Sequence, residues 1–396
     1  MSAAPVALYI HVPFCVSLCP YCDFVVYAGA AARGPRNRVA AFLEALETEL
    51  ELRAGAVGEV RAPLESVYFG GGTPSLLPPE AVDRLLDRVR SRFGLAATAE
   101  VTLEANPGPD ERGDLRAWRD AGITRLSFGA QSLHADELRR LGRRHRPDDV
   151  AAAVAEARAA GIASVNLDLL YDIPSSTEQR WAEMLEAALA LRPDHLSLYA
   201  LTLDDPHAEG LTGPDGDHLP TTAGARRWRD RARPHQDDDR AAAQYRHAVE
   251  RLADDGWHGY EISNWARPGN ECRHNLVYWQ RRPYEAIGPG AHAFDGTTRR
   301  WNAAWLDGYV AALAGRTPSL PPGGRERLDS ETAAAEAVIL ALRTDCGVPL
   351  HAADDPPLDD VAAWATDAGL LARDGDRFVL TTQGRLLSNE VFSRLL

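Results

Sequence analysis

No lysine occurs anywhere in this sequence: all 43 basic residues are arginine, set against 57 carboxylates, for a formal net charge of −14. An acidic balance of that size excludes broad nucleic-acid binding, which needs a basic face. The missing lysine, with the many Ala, Arg and Asp residues, reads as coding bias and implies no function. Long apolar runs are also missing, and those present are far too short to span a bilayer, so no transmembrane segment is expected. Residues Met1 to Pro5 lack a basic flank and an apolar core. No secretory signal is therefore expected, and the expected compartment is the cytoplasm. Cysteine is scarce, with five in 396 residues. What is present suits a soluble globular chain of more than one domain: 45% of residues are hydrophobic and 25% charged.

Three of the five cysteines fall in one short stretch, Cys15-Val16-Ser17-Leu18-Cys19-Pro20-Tyr21-Cys22, just after the apolar run Leu8 to Val12. Thiolates are soft ligands, and such a cluster suits zinc or iron–sulfur better than a hard cation. Reduced thiols this close together also fit the cytoplasm. The count is informative. A closed zinc site or an ordinary [4Fe–4S] cluster takes four protein ligands, whereas a cubane held by three leaves one iron open. The alternative is a structural zinc site completed by His11 or a distant ligand, but C-x3-C-x2-C is not a zinc-ribbon spacing.

Downstream, strands and helices alternate. A helix is expected from about Arg36 to Arg53, with Val39, Phe42, Leu43, Leu46 and Leu50 on one stripe. Strands are expected at Leu8–Val12, Leu64–Phe69, Glu100–Glu104, Thr124–Phe128, Val165–Leu169 and His195–Tyr199. Helices fill the spaces between them, one opening at Pro78-Pro79. Six βα units imply a parallel sheet, and polar or glycine-rich segments sit just past the strand ends, where (β/α) barrels place their sites. Six units rather than eight predict an α/β fold with an incomplete (β/α)6 barrel; an open doubly wound sheet is the rival. The expected divisions are a partial barrel over 1–203, a Pro/Gly/Asp-rich insertion over 204–240 and a barrel extension over 241–317. A linker and a small C-terminal domain take 318–396. That last domain reads helix–hairpin–helix, its hairpin turning at Asp374-Gly375, and is winged-helix-like. Its acidity argues against DNA and for packing on the barrel.

C-x3-C-x-(aromatic)-C after the first strand of such a barrel resembles the radical S-adenosylmethionine (SAM) superfamily. The resemblance implies a [4Fe–4S] cluster on Cys15, Cys19 and Cys22, with SAM chelating the fourth iron and cleaved to a 5′-deoxyadenosyl radical. It extends in order along the barrel. Gly70-Gly71-Gly72-Thr73-Pro74 is similar to the glycine-rich SAM contact, though a bare glycine turn is otherwise only a tight loop. Glu104, Gln131 and Arg143 match polar SAM contacts of the related porphyrinogen enzymes, and Asp168 matches a ribose-binding carboxylate. Tyr21 is the motif's aromatic. Their bland readings are a strand-end Glu beside a helix N-terminus and an Arg on a solvated face. The expected SAM set is thus Tyr21, Gly71, Gly72, Thr73, Glu104, Gln131, Arg143 and Asp168.

Within the superfamily, Ser127 to Ser132, Asn166 to Pro174, Tyr260 to Ala266 and Gly288 to His292 resemble the oxygen-independent coproporphyrinogen III oxidase group. The oxidase itself carries a fourth cysteine two residues after the third, where this chain has Phe24, and a long N-terminal arm that is not seen here. His274-Asn275-Leu276-Val277-Tyr278-Trp279 is the H-N-x-x-Y-W motif of the HemW-type haem-chaperone subgroup. That resemblance implies haem carriage without coproporphyrinogen dehydrogenase activity, with haem on His274, Tyr278 and Trp279. The bland reading of His274 is a buried, hydrogen-bonded imidazole. His292 is a second candidate ligand, Cys272 reads as a free buried thiol, and Cys346 as structural. Expected partners are haem, acceptor haemoproteins and an electron donor such as a flavodoxin or ferredoxin. The resemblance leaves room for a homodimer and for peripheral membrane contact.

Overall fold

A period-two alternation runs through the six central strands and decides how they pack. In the computed structural model, which describes residues 4–32, 37–57, 62–203 and 211–396, these are β1 (Ala7–Val12), β2 (Leu64–Gly71), β3 (Leu95–Ala105), β4 (Arg125–Gln131), β5 (Ser164–Tyr171) and β6 (His195–Ala200). Successive side chains on a strand point to opposite faces. One set, including Leu8, Ile10, Phe69, Leu103, Phe128, Leu167 and Leu198, is buried in a single large apolar core. The helices that share this core include Val39–Val57, Pro79–Arg92 and Pro147–Ala160. The alternate set is polar or aromatic: Tyr68, Glu104, Arg125, Ser127, Asn166, Asp168, Ser197 and Tyr199 all line an interior cavity. An ordinary barrel fills that space with branched apolar side chains. Here it is left polar and open, which makes it a site.

All six strands run parallel and pair in sequence order, β1 to β6. A doubly wound sheet would reverse direction at a switch point; no reversal occurs, so the incomplete barrel stands. The sheet is nevertheless wider than six strands. Tyr284–Ile287 adds parallel to the outer edge of β1, and His292–Phe294, Thr298–Asn302 and Gly323–Arg327 continue from it antiparallel. Asn264–Ala266 and His258–Gly259 cap the β6 edge antiparallel.

Several expectations change in detail. The first helix runs Val39–Val57; its expected start at Arg36 lies outside the described residues. The Pro318–Arg325 linker holds the edge strand Gly323–Arg327, whose alternating Arg and Glu are mostly exposed and carry no apolar signal. Of Tyr260–Trp265, only Asn264 and Trp265 join a strand, while Glu261 bridges to Thr344. The 204–240 stretch is not irregular throughout. It contains the helix Ala223–Ala232, capped by Thr222, and the start of Asp238–Asp254. The helix Ala223–Ala232 hid because five of its ten residues are charged; its apolar contact is Trp228 and Ala232 against Leu141, Leu170, Ile173, Leu201 and Leu203.

The C-terminal residues form helices Ser330–Leu342 and Asp359–Asp367, then the hairpin Leu371–Asp374 with Arg377–Leu380, onto which Val348–Pro349 adds a third strand. They have their own apolar core. They are joined to the barrel by Asp345 on His258, by the Glu261–Thr344 bridge and by Arg343 over the Trp279 ring, 4.6 Å from its centroid. No described helix is long and apolar enough to cross a membrane.

Candidate cluster and nucleotide site

The cysteine loop leaves β1 through Pro13 and is pinned at its start. Phe14–Cys15 pairs in parallel with Tyr27–Ala28, so the loop closes on itself. Thr73 N–H donates to Phe14 O (2.7 Å) and Gly72 N–H to Val12 O (2.9 Å), tying the loop's base to the end of β2. This close approach needs glycine. A Cβ on Gly72 would sit 2.6 Å from Phe14 O, and one on Gly71, whose φ is +106°, would sit 2.4 Å from the His11 ring.

Cys15, Cys19 and Cys22 face a cavity of ≈ 380 Å³ at the C-terminal mouth of the barrel. Tyr21, Gly71, Gly72, Thr73, Glu104, Gln131, Arg143 and Asp168 line the same cavity, so the fold brings together the whole expected cluster and SAM set. The remaining cysteines are elsewhere: Cys272 is buried against Glu100 (3.4 Å) and Cys346 is exposed. Burial pushes the thiols of Cys15 and Cys22 up, to about 11 and about 12. Buried thiols of this kind ionise when a metal takes the proton's place. Thr73 Oγ1 donates to Cys15 Sγ (3.4 Å), and Arg143 Nη1 to Cys19 Sγ (3.5 Å).

The rest of the lining is a set of buried charges awaiting partners. Arg143 Nη2 donates to Gly129 O (2.7 Å) and to Asn106 Oδ1, but its buried Nε has no partner. The buried Nε of Arg125 is likewise unpaired. Neither guanidinium forms an ion pair among the described residues. An unpaired buried cation is costly, and a carboxylate ligand would satisfy Arg143. Opposite stand two acids. Glu104 accepts from Tyr68 OH (2.8 Å) and from Gly71 N–H (2.9 Å); burial, with the nearby Asp168, raises its pKa from 4.5 to about 7. Asp168 accepts from Asn166 Nδ2 (2.7 Å) and Ser127 Oγ (3.1 Å), and burial raises it too. Gln131 sits on a bulge in β4 with φ at +64°. Three thiols without a fourth, an unsatisfied Arg and two acids fit a three-thiolate cluster with a zwitterionic nucleoside ligand.

Several of these residues were not legible as site residues. Asn106 holds Arg143, Thr73 (3.2 Å) and Glu111 (2.6 Å) together; its position after β3 was a signal, but it read as a loop residue. Tyr68 and Arg125 sit mid-strand, where only the interior-facing register marks them. Trp228 and Arg229 come from the 223–232 helix. Arg229 donates to Pro20 O (3.3 Å) and Cys22 O (3.2 Å), and Trp228 lies 6.4 Å from the Tyr21 ring, so this segment closes over the cysteine loop.

The H-N-x-x-Y-W residues lie outside this cavity, apart from Asn275. His274 is buried with both ring nitrogens engaged, Nδ1 by Ser66 Oγ (2.9 Å) and Nε2 by Tyr278 OH (2.8 Å). Burial, with Arg125 nearby, holds its pKa down at about 3. To ligate iron it would have to give up one of those bonds. Trp279 packs under Arg343 toward the C-terminal residues, and Tyr278 lines a second cavity.

The family model described as the radical SAM superfamily matches residues 9–188, and that of the HemN C-terminal domain matches 328–387. The chain is 41% identical to the heme chaperone HemW of Mycobacterium tuberculosis, over 100% of this chain and 96% of that protein. It is 37% identical to the heme chaperone HemW of Escherichia coli, over 73% of this chain and 70% of the relative. A mouse protein, radical S-adenosyl methionine domain-containing protein 1, mitochondrial, is 38% identical over 86% of this chain and 74% of its own length. In fold, the chain resembles the coproporphyrinogen III oxidase HemN from Escherichia coli, with a TM-score of 0.79, 24% identity, and coverage of 99% of this chain and 90% of that one.

Proposed function

Because the chain belongs to the HemW family of the radical SAM superfamily, we propose that it is a haem chaperone that carries a [4Fe–4S] cluster and SAM and delivers haem to haemoproteins. The observation that carries the reading is the full-length likeness to HemW proteins, in a chain whose cavity offers three thiols and has Phe24 where the oxidase has a fourth cysteine. The bound cluster would supply the electron that cleaves a carbon–sulfur bond of SAM. The chain's own residues bind and orient. Cys15, Cys19 and Cys22 would take three irons, and the Arg143 guanidinium would pair with the SAM carboxylate. Glu104 would accept from the amino group, Asp168 would take the ribose hydroxyls, and the backbone at Gly71 and Gly72 would let the ligand approach closely. Tyr21, Thr73 and Gln131 complete the wall. A flavodoxin or ferredoxin is the electron donor in this reading, and the cytoplasm its setting.

The pKa of Glu104 gives a pH dependence with a definite sign. Its folded value is raised, so the stability it contributes is full below its ordinary 4.5 and is lost as the pH climbs through about 7. A ligand amino group that donates to the carboxylate therefore binds better at high pH. SAM affinity of the cluster-loaded protein is expected to rise about tenfold from roughly pH 6 to 8. Glu104→Gln should flatten that rise in equilibrium dialysis, and a wild-type profile without slope would remove Glu104 from the ligand's amino group.

The reading is tested by reconstituting the protein anaerobically, then assaying haem binding and transfer in parallel with coproporphyrinogen III conversion. Stoichiometric haem binding with transfer and no conversion is expected. Robust conversion without haem binding would make it an oxidase, and zinc without sulfide would make the cysteine site structural.

A further inference from the structure

A second cavity, of ≈ 290 Å³, lies across Phe24 from the first, since Phe24 lines both. Its walls include Tyr9, Tyr278 and Tyr284, and three histidines line it: His11, His218 and His292. His11 has both ring nitrogens engaged, by Tyr9 OH (3.1 Å) and Val25 O (2.8 Å). His218 and His292 are joined by one carboxylate. Asp217, itself buried, accepts from His218 Nδ1 (2.8 Å) through one oxygen and pairs with His292 Nε2 (2.9 Å) through the other. Each imidazole keeps its other ring nitrogen, His218 Nε2 and His292 Nδ1, without a hydrogen-bond partner among the described residues. His292 is further fixed by stacking on Trp301, 6.0 Å between centroids and 24° between planes.

A carboxylate holding the far nitrogen of a histidine is the usual support of a metal-ligating imidazole, because it sets the tautomer and ring orientation. Yet the described residues contain no group of three or more metal-ligating side chains that could hold a bare ion. An iron already held by four porphyrin nitrogens removes that difficulty, since it asks the protein for only one or two axial ligands. Aromatic walls suit a flat macrocycle. Tyr278, from the H-N-x-x-Y-W motif, is one of those walls, while His274 beside it has no nitrogen free.

We propose that haem binds in this second cavity, with His292 as its single protein axial ligand and Asp217, braced by His218 on its other oxygen, as the residue that positions it. This rests on the haem-chaperone reading above and adds the place and the ligand. The porphyrin would then lie one aromatic ring, Phe24, from the cluster cavity.

The test titrates haemin into wild type, His292→Ala, His218→Ala, the double variant, Asp217→Asn and His274→Ala, with resonance Raman or electron paramagnetic resonance spectra of the bound iron. Cluster absorbance and circular dichroism report folding in the same samples. Wild type should show histidine ligation. The double variant should lose that signature, Asp217→Asn should bind at least about tenfold more weakly, and His274→Ala should keep the signature. Wild type that binds haem with thiolate or tyrosinate ligation, or a folded double variant with an unchanged spectrum, overturns the site and leaves the chaperone reading standing. Wild type that binds no haem overturns both.

Discussion

Cys19→Ala protein, reconstituted anaerobically, is expected to hold no cluster: iron and sulfide fall to background and the visible absorbance disappears. Cys15→Ala and Cys22→Ala should do the same, while Cys272→Ala keeps the wild-type content. The reason is arithmetic. Among the cavity's residues only three thiols are present; the other metal-ligating side chains are Glu104, Glu111 and Asp168, hard oxygen donors poorly matched to iron–sulfur chemistry, and His145, whose Nε2 is engaged by Ala130 O (3.0 Å). A cluster already short of one protein ligand has none to spare. Cys272 has no place in it, because its thiol is buried against Glu100 and lines neither cavity. Loss of iron in Cys272→Ala, with circular dichroism unchanged, would show that the cluster's ligands have been misassigned.

Arg143→Ala is expected to keep most of the cluster and lose SAM. A hydrogen-bonded pair between charged groups contributes about 1.5–3 kcal/mol, which is roughly a 10- to 100-fold loss of affinity. Arg143→Lys should not restore it. The guanidinium does several things at once: Nη2 holds Gly129 O and Asn106, Nη1 reaches Cys19 with one hydrogen, and Nε–H and the second Nη1 hydrogen remain for a ligand. One ammonium cannot cover those directions. Isothermal titration with SAM on protein of matched iron content separates the outcomes. Undiminished affinity would mean that Arg143 serves the loop alone.

The six barrel strands were legible because each carries a buried apolar face, and the glycine-rich and cysteine segments because their chemistry is local in sequence. What escaped depends on pairing at long range. Tyr284–Ile287 joins β1 across more than half the chain, and nothing in its four residues names that partner. Arg125 and Asn166 read as ordinary positions inside apolar strands; their importance follows from the barrel's closure, which turns one register inward. His292 was legible as a second candidate ligand, but nothing in the sequence named its partners. Its relation to His218 runs through Asp217, in a stretch whose composition suggested no structure. His274 shows the converse: a motif identifies a residue, but its hydrogen bonds to Ser66 and Tyr278 decide what its nitrogens are free to do.

Arg229 grips the cysteine loop by main-chain carbonyls, those of Pro20 and Cys22. Those hydrogen bonds are blind to side chains; only a longer ion pair, to Asp23 at 3.9 Å, reads one. The loop's non-cysteine positions can therefore change over evolutionary time without loosening the grip, so long as the carbonyls stay where they are. The constraint falls on the other side, on a single arginine in a helix where several neighbouring arginines look interchangeable. In a chain whose basic residues are all arginine, this one is set apart by what it holds.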